Sequence, residues 1–522
     1  MATETPADQQ FHQGLGLALL VGALLFGQFL QKPVHIDDAN FLQLAAGAAQ
    51  DFRRPHLIPI NWNGTTVPAF DVLSNPPGIA WWLVPVLKCP IWAQHLWMMI
   101  WLLPTAWGAR ELGRYFCQDD GTKAVWVLLT CPVVVLSAQS LLPDLPLLAC
   151  TVAGLGGFVS RKGPKEVWAF VAGSAYLFRY SGCLIIPVLL VMAWRQSRWR
   201  GVIRCWPAAI PMLALMVNDF LVYGKWHLLA MFAFQNHGYQ KTPDTVVHNL
   251  VAAIGMLGGA CLLPILVWQP GAKISALVGA WIGLNMVYVA NQPLNMAIPT
   301  VAFVTAGTAV LFLMVGPRSR DLTLSLWGCL GLLLMWTSRF AATRYWIPFL
   351  PAFVLLGLRC RKDRRSCEIA IAANILLSLG MAIDDFEFAE CQRQAALYIA
   401  SVAPAGQFAG HWGWQYYLEA HGWTPLEAHG TVGGYLASSA IADPQAPSRS
   451  SCLVEVGRFT LPDRWPGPRT HCRELGATYH GGGRGAYAPW TLSNEPYDFI
   501  TLWRSCQADQ ISVLPPSGPG ER

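Results

Sequence analysis

GLGLALLVGALLFGQFLQKPVHIDDANFLQLA, residues 14–45, decides the class of fold. Its first part, 14–30, carries no charged side chain and is close to the ~20 residues that cross a hydrocarbon core. No Lys or Arg precedes it and no small-residue cleavage pattern follows, so it reads as a retained span rather than a removed leader. Directly after it the chain turns acidic, at Asp37 and Asp38. Working outward, similar apolar stretches recur near 91–107, 123–142, 145–160, 167–180, 182–194, 202–222, 250–268, 273–290, 297–316, 322–338, 345–358 and 369–383. Over all 522 residues, 54% are hydrophobic and only 13% charged, against about 25% charged in soluble domains. Mean hydropathy is +0.36. These values exclude a disordered chain, a coiled coil and an ordinary cytosolic enzyme. They predict a mainly α, polytopic membrane protein with about 13 transmembrane helices.

Orientation follows from the basic residues. With the N-terminus inside, Lys and Arg favour the cytoplasmic connections two to one, the richest being Arg359, Arg361, Lys362, Arg364 and Arg365. They lie in short clusters between apolar segments, so no nucleic-acid partner is expected. Two domains follow: a transmembrane region, 1–383, and an extracytoplasmic C-terminal domain, 384–522. The tail has no Lys, many Gly and Pro, and the aromatic run GHWGWQYYLEAHGW at 410–423. It reads as a small α/β domain. Its four cysteines, Cys391, Cys452, Cys472 and Cys506, permit two disulfides or none. The first extracytoplasmic loop, 31–78, is long for a connection, and such loops often carry function. In it, Asp37 or Asp38 can cap a helix bearing Phe41, Leu44, Ala45 and Ala48 on one face. The apolar stretch 75–88, NPPGIAWWLVPVLK, is expected near the membrane interface.

Three outward-facing places bring polar groups against the membrane. The pair Asp37 and Asp38 could supply a general base, hold a divalent ion, or serve as a helix cap with a solvated neighbour. Asp144, in LLPDLPLL, sits between two apolar segments with almost no loop. A charge at that depth needs a partner or a wet cavity, unless it only starts the following helix. Arg179, Arg339 and Arg344 lie on the side that positive-inside anchoring disfavours. Their forked donors suit phosphate oxygens, or they pair with the aspartates. The later apolar stretches, 250–338, hold no charge in their interiors, Lys273 standing at the edge of one, which argues against an ion-driven carrier. No metal or other cofactor is expected, although His35 beside two aspartates could meet an ion.

In their order and membrane side, these residues resemble the GT-C glycosyltransferases. The likeness is in particular to bacterial relatives of dolichyl-phosphate-mannose–protein mannosyltransferases and of lipid A aminoarabinose transferase. That family carries an acidic pair after the first span, here Asp37-Asp38. It has a Pro-Pro motif opening the next membrane stretch, here after Asn75, and an Asp-x-Pro-Leu, here at Asp144. It also has a basic residue in the next helical pair, here Arg179, and an Arg-Tyr near a late Pro-rich span, here Arg344-Tyr345. Many relatives place Lys before the Pro-Pro; this chain has Asn75, which shifts phosphate binding onto the arginines. The resemblance covers roughly 10–360. It implies a polyprenyl-phosphate-linked sugar donor and a protein, lipid or glycan acceptor on the extracytoplasmic face of the plasma (inner) membrane. Asp37 would be the catalytic base, with Asp38 and Asp144 supporting it. Arg179, Arg339, Arg344, Tyr345 and Asn75 would bind substrate. The alternatives are a lipid-linked sugar flippase or transporter, and a non-catalytic membrane assembly subunit.

Overall fold

The computed structural model describes residue 22 and residues 26–62, 64–118, 121–160, 162–236, 242–266, 270–316, 321–338, 342–361, 363–403, 405–462, 465–472, 477–481 and 487–506. Helices fill most of the chain up to Val402, and strands become frequent after it. Each apolar segment expected from residue 91 onward overlaps a helix. The first, 14–30, lies largely outside the described residues. By length and composition, four helices can cross a membrane: Trp206–Tyr223, Gly271–Val289, Leu294–Val315 and Arg364–Val402. Gly121–Leu129 and Pro132–Ala138 make a fifth if the pair, bent by 66°, is one span. Among the described residues four or five helices are thus span-length, with shorter apolar helices between them.

Proline explains one of these breaks. Pro132 opens its helix behind an extended Cys131, since its ring removes a donor and drives the preceding residue out of the helical region.

Beyond the first apolar segment comes helix α1 (Asp38–Gln50), which buries Phe41, Leu44, Ala45 and Ala48 as its periodicity requires. A hairpin of β1 (Pro59–Trp62) and β2 (Thr65–Pro68) follows. The 75–88 stretch forms a short helix, Gly78–Leu83. A Cβ on Gly78 would come within 2.3 Å of the Leu177 carbonyl oxygen. Only glycine permits that approach, and it brings Asn75 beside the chain entering Arg179. Helix α2 (Pro132–Ala138) then leads into α3 (Asp144–Val159). Gly156 of α3 meets Gly108 backbone to backbone, a Cβ there falling 2.6 Å from the Gly108 oxygen. Such close small-residue packing holds the C-terminal part of α3.

The domain boundary expected at 383/384 falls inside one helix, α4 (Arg364–Val402), which continues from the apolar region into the tail. After it come β3 (Gly406–Ala409), α5 (Trp412–Glu419), β4 (Thr424–Pro425), β5 (Tyr435–Ser439), β6 (Leu453–Leu461) and β7 (Asp498–Ser505). They form a five-stranded sheet in the order β4-β3-β5-β7-β6. β3 is parallel to both neighbours and β7 antiparallel to both. Trp414 and Leu418 of α5 pack with Phe408, Ala437, Ile500 and Leu502 of the sheet and with Ile399 of α4. The tail is therefore a small α/β domain, as its turn-rich composition suggested. One disulfide forms, Cys452–Cys506, where the count allowed two; Cys391 and Cys472 remain thiols.

Candidate active site

Asp37 stands at the N-cap position of α1, yet its side chain makes no cap hydrogen bond. Its Oδ2 instead accepts from Arg344 Nη2 at 2.6 Å. Arg344 belongs to a single turn, Thr343–Trp346, and its side chain is 8% exposed against 27% for Asp37. Burial works against the charge on Asp37, but Arg344, and more weakly Arg179, outweigh it and hold the carboxyl below its ordinary range.

Asp38 has a different task. It is fully buried. Its Oδ1 accepts from the Leu141 amide at 2.8 Å and its Oδ2 from the His35 amide at 3.3 Å. It ties α1 to the turn between α2 and α3. Burial pushes its carboxyl up to about 7, against the pull of Lys32 and these two amides.

Asp144 is the first residue of α3 and is buried. Arg179 pairs with it, Nη2 donating to Oδ2 at 3.2 Å and Nε lying 3.1 Å from Oδ1. The two arginine–aspartate pairs meet at Tyr345, whose ring centroid is 4.6 Å from the Arg179 guanidinium and 5.6 Å from that of Arg344. Asp37, Asp144, Arg179, Arg344 and Tyr345 therefore converge, and Asp38 anchors the backbone under them. The Nε and Nη1 of Arg344 are buried without a hydrogen-bond partner among the described residues.

Beside Tyr345 lies a cavity of about 170 Å³. Asn75, Arg179 and Tyr345 give it a polar wall, and Met231, Phe232 and Leu334 an apolar one. The Asn75 backbone oxygen accepts from His56 Nε2 at 3.0 Å. Arg339 lies outside the described residues.

Sequence reasoning gave no task to Lys32, Asp385, His480 or His411. The C-terminal domain supplies His411, at the head of α5, within electrostatic reach of Asp37; burial lowers its imidazole below the ordinary value. The aromatic run 410–423 was the one signal for it.

No protein-family model matches the chain, and no curated protein does. Among solved structures, the chain is similar to the apo crystal structure of ArnT from Cupriavidus metallidurans. Identity is 15% and the TM-score 0.42, over 81% of this chain and 86% of that one. It is also similar to a cryo-EM structure of the arabinofuranosyltransferase AftD from Mycobacteria. There identity is 15% and the TM-score 0.34, over 94% of this chain and 41% of that one. At such scores neither likeness assigns an activity to this chain.

Proposed function

We propose that this protein is a membrane glycosyltransferase of the GT-C kind, moving a sugar from a polyprenyl-phosphate carrier to a protein, lipid or glycan acceptor on the extracytoplasmic side of the plasma (inner) membrane. One observation carries the reading: a partly open carboxylate, Asp37, lies against a buried guanidinium with two donors to spare among the described residues. Glycosyl transfer to a hydroxyl or amine needs those two functions side by side. A base takes the acceptor proton, and positive donors stabilise the phosphate as it leaves.

The cavity beside Tyr345 suits the donor. Its apolar wall takes the first prenyl units, and Arg179 and Arg344 reach the phosphate. Arg344 would meet phosphate oxygens through Nε and Nη1 without first giving up Asp37. Phosphate bound there competes for the guanidinium and weakens its hold on Asp37, which gains basicity when a donor is in place. Asp144 keeps Arg179 pointed at the cavity, and Asn75 lines its mouth. The catalytic set is Asp37, with Asp38 and Asp144 in support, and no metal takes part in the transfer.

The decisive test is Asp37→Asn in full-length protein, assayed with purified lipid-linked sugars. Loss of a general base costs about 10²–10⁴-fold in rate, while membrane insertion should persist. Transfer at the wild-type rate in this variant refutes the assignment.

A further inference from the structure

A second pair of adjacent acids, Asp384 and Asp385, lies within α4, and both are fully buried. Asp384 turns toward the C-terminal domain. It accepts from the Thr470 amide and hydroxyl at 2.6 and 2.7 Å and from the Tyr497 hydroxyl at 2.9 Å, with Arg469 Nε at 3.1 Å. Asp385 turns the other way. Its Oδ2 holds Lys32 Nζ at 2.5 Å, and its Oδ1 meets His35 Nε2 at 3.1 Å and His480 Nε2 at 2.8 Å. Three regions distant in sequence thus meet on one carboxylate: the chain just before Asp37, helix α4 and the C-terminal domain.

More contacts hold the same short segment. The Val34 amide donates to the Tyr417 hydroxyl at 3.0 Å. A Cβ on Gly413 would come within 2.4 Å of the Val34 carbonyl oxygen, so α5 lies directly on the segment. The Ile36 side chain packs with Phe388, Ile441 and Tyr497. Ile36 also has φ +46°, a region β-branched residues avoid. Such a kink, placed between His35 and Asp37, persists only where both flanks are held. Burial lowers His35 to about 4, so at neutral pH its ring is uncharged and Lys32 supplies the full positive charge that a buried carboxylate requires.

We propose that Asp385 and His480 are positioning residues: with Lys32 and His35 they form a buried latch by which the C-terminal domain holds residues 32–38, and through them the Asp37 carboxylate, in place for transfer. The effect on rate rests on the transferase reading; the latch does not. The ligating atoms of His35, Asp385 and His480 all lie within 4.8 Å of one another, as they would around a divalent cation. The Lys32 ammonium on the same carboxylate favours the ion pair.

The test uses full-length protein in nanodiscs, with hydrogen exchange read by mass spectrometry and transfer measured in parallel. His480→Ala should raise exchange across 32–38 by about tenfold or more while leaving 294–315 unchanged. It should lower kcat by roughly tenfold to a hundredfold, as expected for a displaced catalytic group, with KM for the donor little changed. His480→Gln, whose amide can still donate to Asp385, should recover much of both. If His480→Ala does not accumulate, Tyr417→Phe is read the same way, with a smaller increase in exchange. Unchanged exchange across 32–38 overturns the latch, whatever transfer does. Loosened exchange in a protein whose wild type transfers no sugar keeps the latch and removes the enzyme reading. One equivalent of zinc in the wild type, lost in His480→Ala, also overturns the latch as an ion pair.

Discussion

Asp37-Asp38 and Asp384-Asp385 are the same dipeptide in two settings, and the contrast separates open charge from enclosed charge. In each pair one acid ties down backbone: Asp38 accepts from the Leu141 amide and Asp384 from that of Thr470. The other acid faces a cation. Asp385 and Lys32 are both fully buried, and both oxygens of Asp385 are engaged. Asp37 is 27% exposed, and its partner has donors unused among the described residues. An enclosed and satisfied carboxylate can only hold things together. One that is partly open, against an unsaturated guanidinium, can exchange partners with a substrate.

The largest expected effect tests the structural side. Asp385→Ala leaves Lys32 buried without its counter-charge, which typically costs about 3–5 kcal/mol. The melting temperature in detergent should fall sharply, whereas Asp37→Asn should shift it far less. Equal shifts would erase the distinction between the two pairs. Next comes Arg344→Gln. Donor KM should rise by about tenfold to a hundredfold, the order expected when one charge-assisted contact of about 1.5–3 kcal/mol is lost. Because Arg344 holds Asp37 below its ordinary range, its removal should also move the acid limb of the rate profile to higher pH. An unmoved limb would show that another group sets it.

The smallest effect concerns Asp38, whose carboxyl stands at about 7 against an ordinary 3.8. The folded state then binds more protons than the unfolded state between those values. This residue's contribution to stability is therefore greatest below that window and falls as pH rises through it. Asp38→Asn keeps an oxygen for the Leu141 amide and should flatten the slope of melting temperature between pH 4 and 7. A slope that stays the same would place the titration elsewhere.

Much of the first loop was legible in sequence because its signals are local. The periodicity of Phe41, Leu44, Ala45 and Ala48 requires a one-faced helix, and α1 buries those residues. Three aspartates and three arginines in so apolar a chain stand out as groups that need partners. Which partner each one takes was not legible. Asp37 and Asp144 could each have served only to start a helix; Arg344 and Arg179 claim them instead. Nor does apolar length show where a helix breaks: Pro132 divides one apolar stretch into two helices bent by 66°.

The second acid pair shows where sequence stops. Hydropathy runs smoothly toward residue 383 and then fails, so a boundary is expected there, yet α4 continues to Val402 and carries Asp384 and Asp385 inside it. Composition determined that this chain is helical, apolar and fitted to a membrane, since burial of side chains in lipid is written residue by residue. Tertiary structure alone decided that Lys32, His35, Asp385 and His480 meet. Residues up to 448 positions apart in the chain are brought together by packing, and no periodicity within either segment records the distance between them.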